Sequence, residues 1–160
     1  MASIESTSAF TADRPWIHFR GSRDIETLAA IGPNLSGLRV FSLDGAEMVD
    51  VDSVFEQYYR EFEFPTYFGG NWPAFEECLT TLENLPARGY LTLIHNAERV
   101  LAQDRRDLST FLRVLGDAGR YWSNALGLGR EWGDGPVPFN TIFLSQNYTA
   151  AELSLLMELQ

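Results

Sequence analysis

The sequence predicts an α/β domain built on a parallel sheet. Three observations carry this reading. Short apolar runs suited to strands recur at Leu38–Leu43, Tyr90–Ile94 and Phe139–Leu144. Segments with helical apolar spacing separate them. The intervals are long enough for the crossovers that parallel neighbours require. The chain has 160 residues, 45% of them hydrophobic and 13% aromatic, which suits one domain with a substantial core.

Residues 1–37 read as an N-terminal extension and residues 38–160 as the main domain. Met1 to Pro15 forms a loose leader. Trp16 to Arg20 alternates weakly and predicts a short strand. Asp24 precedes Ile25, Leu28, Ala29 and Ile31 at helical spacing, and Gly32-Pro33 ends that segment. Leu38 to Leu43 follows as a strand, and Asp44-Gly45 signals a turn. Val51, Val54, Phe55, Tyr58 and Phe62 then fall on one helical face. Asp50 or Asp52 can cap its start, and Pro65 marks its end.

The loop Thr66-Tyr67-Phe68-Gly69-Gly70-Asn71 presents two aromatics and two glycines. Asn71 is a good N-cap, and Pro73 falls in the first turn, where a missing N–H costs nothing. Trp72, Phe75, Cys78, Leu79 and Leu82 make the next apolar face. Pro86 and Gly89 precede the Tyr90–Ile94 strand. From Asp104 onward, Leu108, Phe111, Leu112, Leu115, Trp122 and Leu126 recur at helical spacing. Gly127 to Pro138 is a Gly- and Pro-rich loop before the Phe139–Leu144 strand. Thr149-Ala150-Ala151-Glu152 is a capping box that opens an extra C-terminal helix, Ala150 to Leu159.

The segment Pro65-Thr66-Tyr67-Phe68-Gly69-Gly70-Asn71-Trp72-Pro73-Ala74-Phe75-Glu76-Glu77-Cys78-Leu79-Thr80 resembles the signature of the barstar family. That pattern is a proline, an aromatic pair, a glycine, an asparagine, and then an acidic, apolar helix ending near Cys-Leu. The likeness extends more loosely from Leu38 to Ser145. It implies a three-stranded parallel sheet flanked by helices, and an intracellular inhibitor that plugs the active site of a basic, secreted nuclease, a small ribonuclease. The alternative is a barstar-like interaction module whose partner is not a nuclease. The partner-binding residues implied are Tyr67, Phe68, Gly69, Gly70, Asn71, Trp72, Ala74, Glu76, Glu77 and Thr81. Asp117, on a later helix, is the nearest match to the family's further acidic contacts. Three positions depart from the best-known pattern. Glu77 replaces an Asp, Glu76 an aromatic and Gly70 an acid.

Physical chemistry supports such a surface without the name. A ribonuclease site holds phosphates with basic side chains, and a carboxylate is a natural substitute for that anion. Glu76 and Glu77 lie early in a helix, where negative charge is favoured. Tyr67 and Phe68 are rigid aromatics of the kind that dominate interfaces, and Gly69 and Gly70 let a partner approach the backbone. The charge agrees. Twenty-two acidic residues against twelve basic ones give a net charge of -10. Such a surface disfavours direct nucleic-acid binding and speeds encounter with a basic protein.

No enzyme constellation is legible. Every basic residue is Arg, which excludes Schiff-base and P-loop lysine chemistry. Cys78 sits on an apolar helical face and reads as a small hydrophobe, not as a nucleophile served by His18 or His95. Two isolated histidines and one thiol make no metal site, and Gly127-Leu128-Gly129 is no dinucleotide fingerprint. No cofactor is expected. A single cysteine, the lack of a signal peptide and the lack of an apolar span predict a cytoplasmic protein with no membrane contact. A tight stoichiometric inhibitor has no need to self-associate, so a monomer in a one-to-one complex is expected.

Overall fold

The structure is a computed structural model that describes residues 10–21, 37–125 and 128–158. Four strands form one sheet: β1 (Ile17–Gly21), β2 (Leu38–Asp44), β3 (Gly89–His95) and β4 (Phe139–Ser145). Their order is β1-β4-β3-β2 and every neighbouring pair is parallel. Among the described residues there are four helices: α1 (Val51–Glu61), α2 (Trp72–Leu79), α3 (Leu108–Ser123) and α4 (Ala150–Glu158). The α/β class and flanking helices are as the sequence predicts. The sheet has one strand more than the three that the family likeness implies. That strand, β1, comes from the predicted extension and pairs in register with β4, Ile17 opposite Thr141 and Gly21 opposite Ser145. The helical spacing read at Asp24–Ile31 lies outside the described residues.

The central strands explain their own composition. β4 is buried along its whole length and β3 up to His95, because both faces of each are covered. β2, on the edge, alternates instead, with Phe41 and Leu43 buried and Ser42 and Asp44 exposed. The larger face carries Phe41, Leu43, Tyr90, Ile94, Phe139 and Phe143, and all four helices pack on it. The opposite face is a smaller cluster of Leu91, Leu93, Ile142 and Leu144, against which Phe10, Leu38 and Val40 pack. Beside it, His18 Nε2 meets Asn140 Oδ1 at 3.0 Å, and Asn140 Nδ2 donates to Thr11 O at 2.8 Å. Burial holds the His18 imidazole below its ordinary pKa, outweighing the Asn140 bond.

Local chemistry sets the helix ends. Asp50, not Asp52, caps α1, and forms a reciprocal box with Ser53. α1 stops at Glu61, before the proline that the sequence suggested as its end. Phe62 closes the last turn through Tyr58 O, and Glu63 turns the chain at φ 51°. Thr149 and Glu152 form the expected capping box at the start of α4.

Candidate functional site

α2 is short and is fixed at both ends to α3. At its start, Trp72 Nε1 approaches Asp107 Oδ1 at 3.4 Å, just ahead of α3. At its end, the Trp122 indole of α3 donates to Leu79 O at 2.9 Å. Phe75, Cys78 and Leu79 face the core. Asn71 caps the helix, its Oδ1 accepting from Ala74 N at 2.8 Å, and Pro73 sits in the first turn. The helix therefore presents a rigid outer face, and rigid elements make better contact surfaces than loops.

The preceding loop folds back on α1. Phe68 N donates to Pro65 O at 3.0 Å, closing a turn. Phe68 is half-buried, its ring edge-on to Phe55 and Phe64. Trp72 is likewise packed, edge-on to Phe55 at 4.9 Å. Tyr67 is the opposite case, 76% exposed. Gly70 has φ +67°, a conformation that favours glycine, and a side chain there would meet nothing within 4 Å. Gly69 lies over Asn71 and Ala74.

Between this loop and α2 lies a cavity of about 200 Å³. Tyr67, Phe68, Gly69, Ala74, Glu77 and Thr81 all line it. Its floor is apolar, with Phe62, Phe64, Cys78 and Leu82 buried. Its rim is acidic, because Glu63 and Glu83 join Glu77 there and all three are exposed. The sequence reading had missed Glu63 and Glu83. Both flank the signature segment, and only the turns at Glu63 (φ 51°) and Leu82 (φ 43°) bring them to one rim.

The acids differ in their partners. Among the described residues, the Glu77 carboxylate makes no ion pair. Glu76 and Asp117 sit away from it, lining a separate, open cleft with Arg120 and Tyr121. Arg113 lies between them, 3.9 Å from Glu76 and 3.2 Å from Asp117. Arg120 reaches Asp117 at 3.5 Å. Glu76 and Asp117 are thus partly neutralised by the chain itself, and Glu77 is not. The predicted site residues accordingly divide into a Glu77 cavity and a Glu76–Asp117 cleft.

The site holds no activated nucleophile. Burial, with the Glu77 charge second, pushes the Cys78 thiol up, which disfavours the reactive thiolate. Neither histidine lines this cavity: His95 pairs with Ser42 and His18 with Asn140. Among the described residues, no group of three or more His, Cys, Asp or Glu could hold a metal ion. No described helix is long and apolar enough to cross a membrane.

Comparison with known proteins agrees with the geometry. A family model described as Barstar (barnase inhibitor) matches residues 38–140. No curated protein matches the chain significantly.

Proposed function

The chain belongs to the barstar family, and from that premise we propose that it inhibits a basic ribonuclease by inserting Glu77 and Tyr67 into the enzyme's active site. One observation carries this reading: an exposed carboxylate, with no ion pair among the described residues, stands on a rigid helix beside an exposed aromatic, at the edge of an apolar cavity with an acidic rim. Glu77 would take the place of a substrate phosphate, and the nuclease's Arg, Lys or His groups would surround it. Tyr67 would supply apolar area at low entropic cost. Gly69, Gly70, Asn71, Ala74 and Thr81 would shape the contact. Phe68 and Trp72 would support it from beneath. Glu76 and Asp117 would add a weaker acidic flank.

On this reading the protein is a binding partner and not an enzyme, needs no cofactor, and acts in the cytoplasm as a monomer in a one-to-one complex. The net charge of -10 speeds encounter with a basic nuclease. Residues 38–160 carry the inhibitor, and residues 1–37 extend it.

Glu77→Ala should weaken the complex by about 2–5 kcal/mol, the cost of truncating one member of a buried charge pair; the barnase–barstar complex is itself among the systems behind that range. The test is a pull-down from lysate and culture medium with wild-type and Glu77→Ala baits. Wild type should recover a small basic nuclease whose RNA cleavage stops in the complex, and the variant should lose it. Equal recovery by both baits would refute the role of Glu77. Recovery of a partner that cleaves no RNA would replace the nuclease reading with an interaction module.

A further inference from the structure

The protein is acidic, yet its sign reverses at the amino-terminal ends of β2 and β3. Arg39, Arg88 and Arg130 line one open groove of about 770 Å³. Glu131 is the one carboxylate among the described lining residues, so the described lining carries two positive charges in excess. Among the described residues, none of these three arginines forms an ion pair; Arg60, Arg113 and Arg120 do.

The groove is built rather than incidental. Arg88 N donates to Gly37 O at 3.0 Å. The aliphatic stem of Arg88 lies against both Gly37 and Gly133. A Cβ at Gly37 would stand 3.0 Å from Arg88 Cβ and Cδ, and one at Gly133 would stand 3.6 Å from Cγ. Both glycines have positive φ, +77° and +84°. The two turns therefore hold the Arg88 stem and leave its guanidinium exposed, which lowers the ordering cost of binding. Arg130 opens the short 3-10 turn Arg130–Trp132. The Trp132 indole donates to Tyr90 Oη at 3.1 Å, and that hydroxyl donates to Leu85 O at 2.6 Å. Arg39 projects from β2, opposite Tyr90 in register.

We propose that this groove binds a small phosphoryl anion: phosphate, pyrophosphate or the terminal phosphate of a nucleotide. Guanidinium forks match phosphoryl oxygens, and a dianion balances the two excess charges. A long polyanion fits less well. Beyond about 8 Å, the Debye length at physiological salt, a small ion is screened from the remaining acids, whereas a nucleic acid strand would run past them.

The test is calorimetric titration of the full chain with pyrophosphate near neutral pH, at about 50 mM salt, where screening is weak. Wild type should bind one equivalent. Arg88→Ala should bind about tenfold more weakly, the loss of one charge-assisted contact. Arg88→Lys, which keeps the charge and loses the fork, should fall between. Gly133→Ala keeps all three arginines but strains the positive-φ turn against which the Arg88 stem lies, and should also weaken binding. Circular dichroism checks that each variant is folded. A nucleoside monophosphate that binds as tightly as pyrophosphate, with no binding by the nucleoside, would identify a terminal phosphate as the ligand. Binding of pyrophosphate alone would identify the free anion. No saturable binding by wild type up to about 10 mM pyrophosphate would overturn the proposal. So would Arg88→Ala binding within about twofold of wild type, or a short RNA binding more tightly than pyrophosphate.

Discussion

Gly119→Ala is a substitution on which two physical effects have opposite signs. Gly119 is buried in the interior of α3. Replacing a helical glycine with alanine normally stabilises by about 0.8–1.0 kcal/mol. Here the Trp16 ring lies on the glycine. An added Cβ would fall inside van der Waals contact of Trp16 Cβ and Cγ, and 2.9 Å from Cδ1. Those atoms lie at the root of the side chain, so a rotation cannot clear them. Trp16 is also held in place. Its carbonyl accepts from Thr141 N at 3.0 Å, and its indole donates to Ala12 O at 2.9 Å. Overpacking of this kind costs about 1–3 kcal/mol, and displacing the indole removes a hydrogen bond worth about 1 kcal/mol. The clash and the lost hydrogen bond outweigh the propensity gain, and the expected net loss is about 1–3 kcal/mol. In a Trp16→Ala background the obstacle is gone, and the same Gly119→Ala change should stabilise by about 0.5–1 kcal/mol. Urea denaturation of the four proteins in this cycle, followed by circular dichroism, reads the coupling directly. A coupling below about 0.5 kcal/mol would mean that Trp16 does not pack on α3, and the bracing of the N-terminal segment would be refuted.

Other outcomes follow from single groups. The Tyr58 hydroxyl is fully buried and has no hydrogen-bond partner among the described residues, so Tyr58→Phe should stabilise by about 1 kcal/mol and raise Tm by about 2–4 °C; a lower Tm would show that the hydroxyl is satisfied. Burial lowers the His18 pKa, so the unfolded chain binds its proton more readily. Stability should therefore fall as pH drops below about 6.5, the pKa of an unperturbed histidine, and His18→Gln should flatten that slope in pH-dependent denaturation. A slope unchanged in the variant would assign it to other groups. Arg113→Ala breaks exposed ion pairs, the arginine side chain being 59% exposed, and should change stability by less than about 1 kcal/mol. It should nonetheless speed association with a basic partner at low salt by freeing Glu76 and Asp117, as stopped-flow mixing would record; a slower on-rate would mean that Arg113 itself contacts the partner.

Much of this molecule was legible because its local signals are strong. The Phe139–Leu144 run, the Val51–Phe62 face and the Thr149–Glu152 box each fixed an element through neighbouring residues alone. The outer side of α2 was legible for the same reason, since helical spacing puts Ala74, Glu77 and Thr81 together. What escaped depends on residues far apart in the chain. The weak alternation at Trp16–Arg20 suggested a strand, but nothing in it announced a partner in β4. The i, i+4 spacing of Arg113 and Asp117 was visible, whereas the approach of Arg113 to Glu76 arises from helix packing. The Arg39, Arg88 and Arg130 groove is assembled from three separate segments, and composition alone pointed to an acidic surface.

The position of β1 governs the order in which the protein can be completed on the ribosome. Among the described residues its one hydrogen-bonded neighbour in the sheet is β4, the last of the four strands in chain order. About 120 residues separate the two, and at roughly 5–20 residues per second the first strand waits on the order of ten seconds for its partner. During that time β2 and β3 can pair, and α1 and α2 can dock on them. When β4 emerges, buried along its whole length in the finished protein, it offers a bare apolar edge until the waiting β1 docks on it. Such an edge is a template for other chains. A nascent protein whose β1 is blocked by a bulky fusion or clipped away would therefore fail first by aggregation, with its α2 surface already formed.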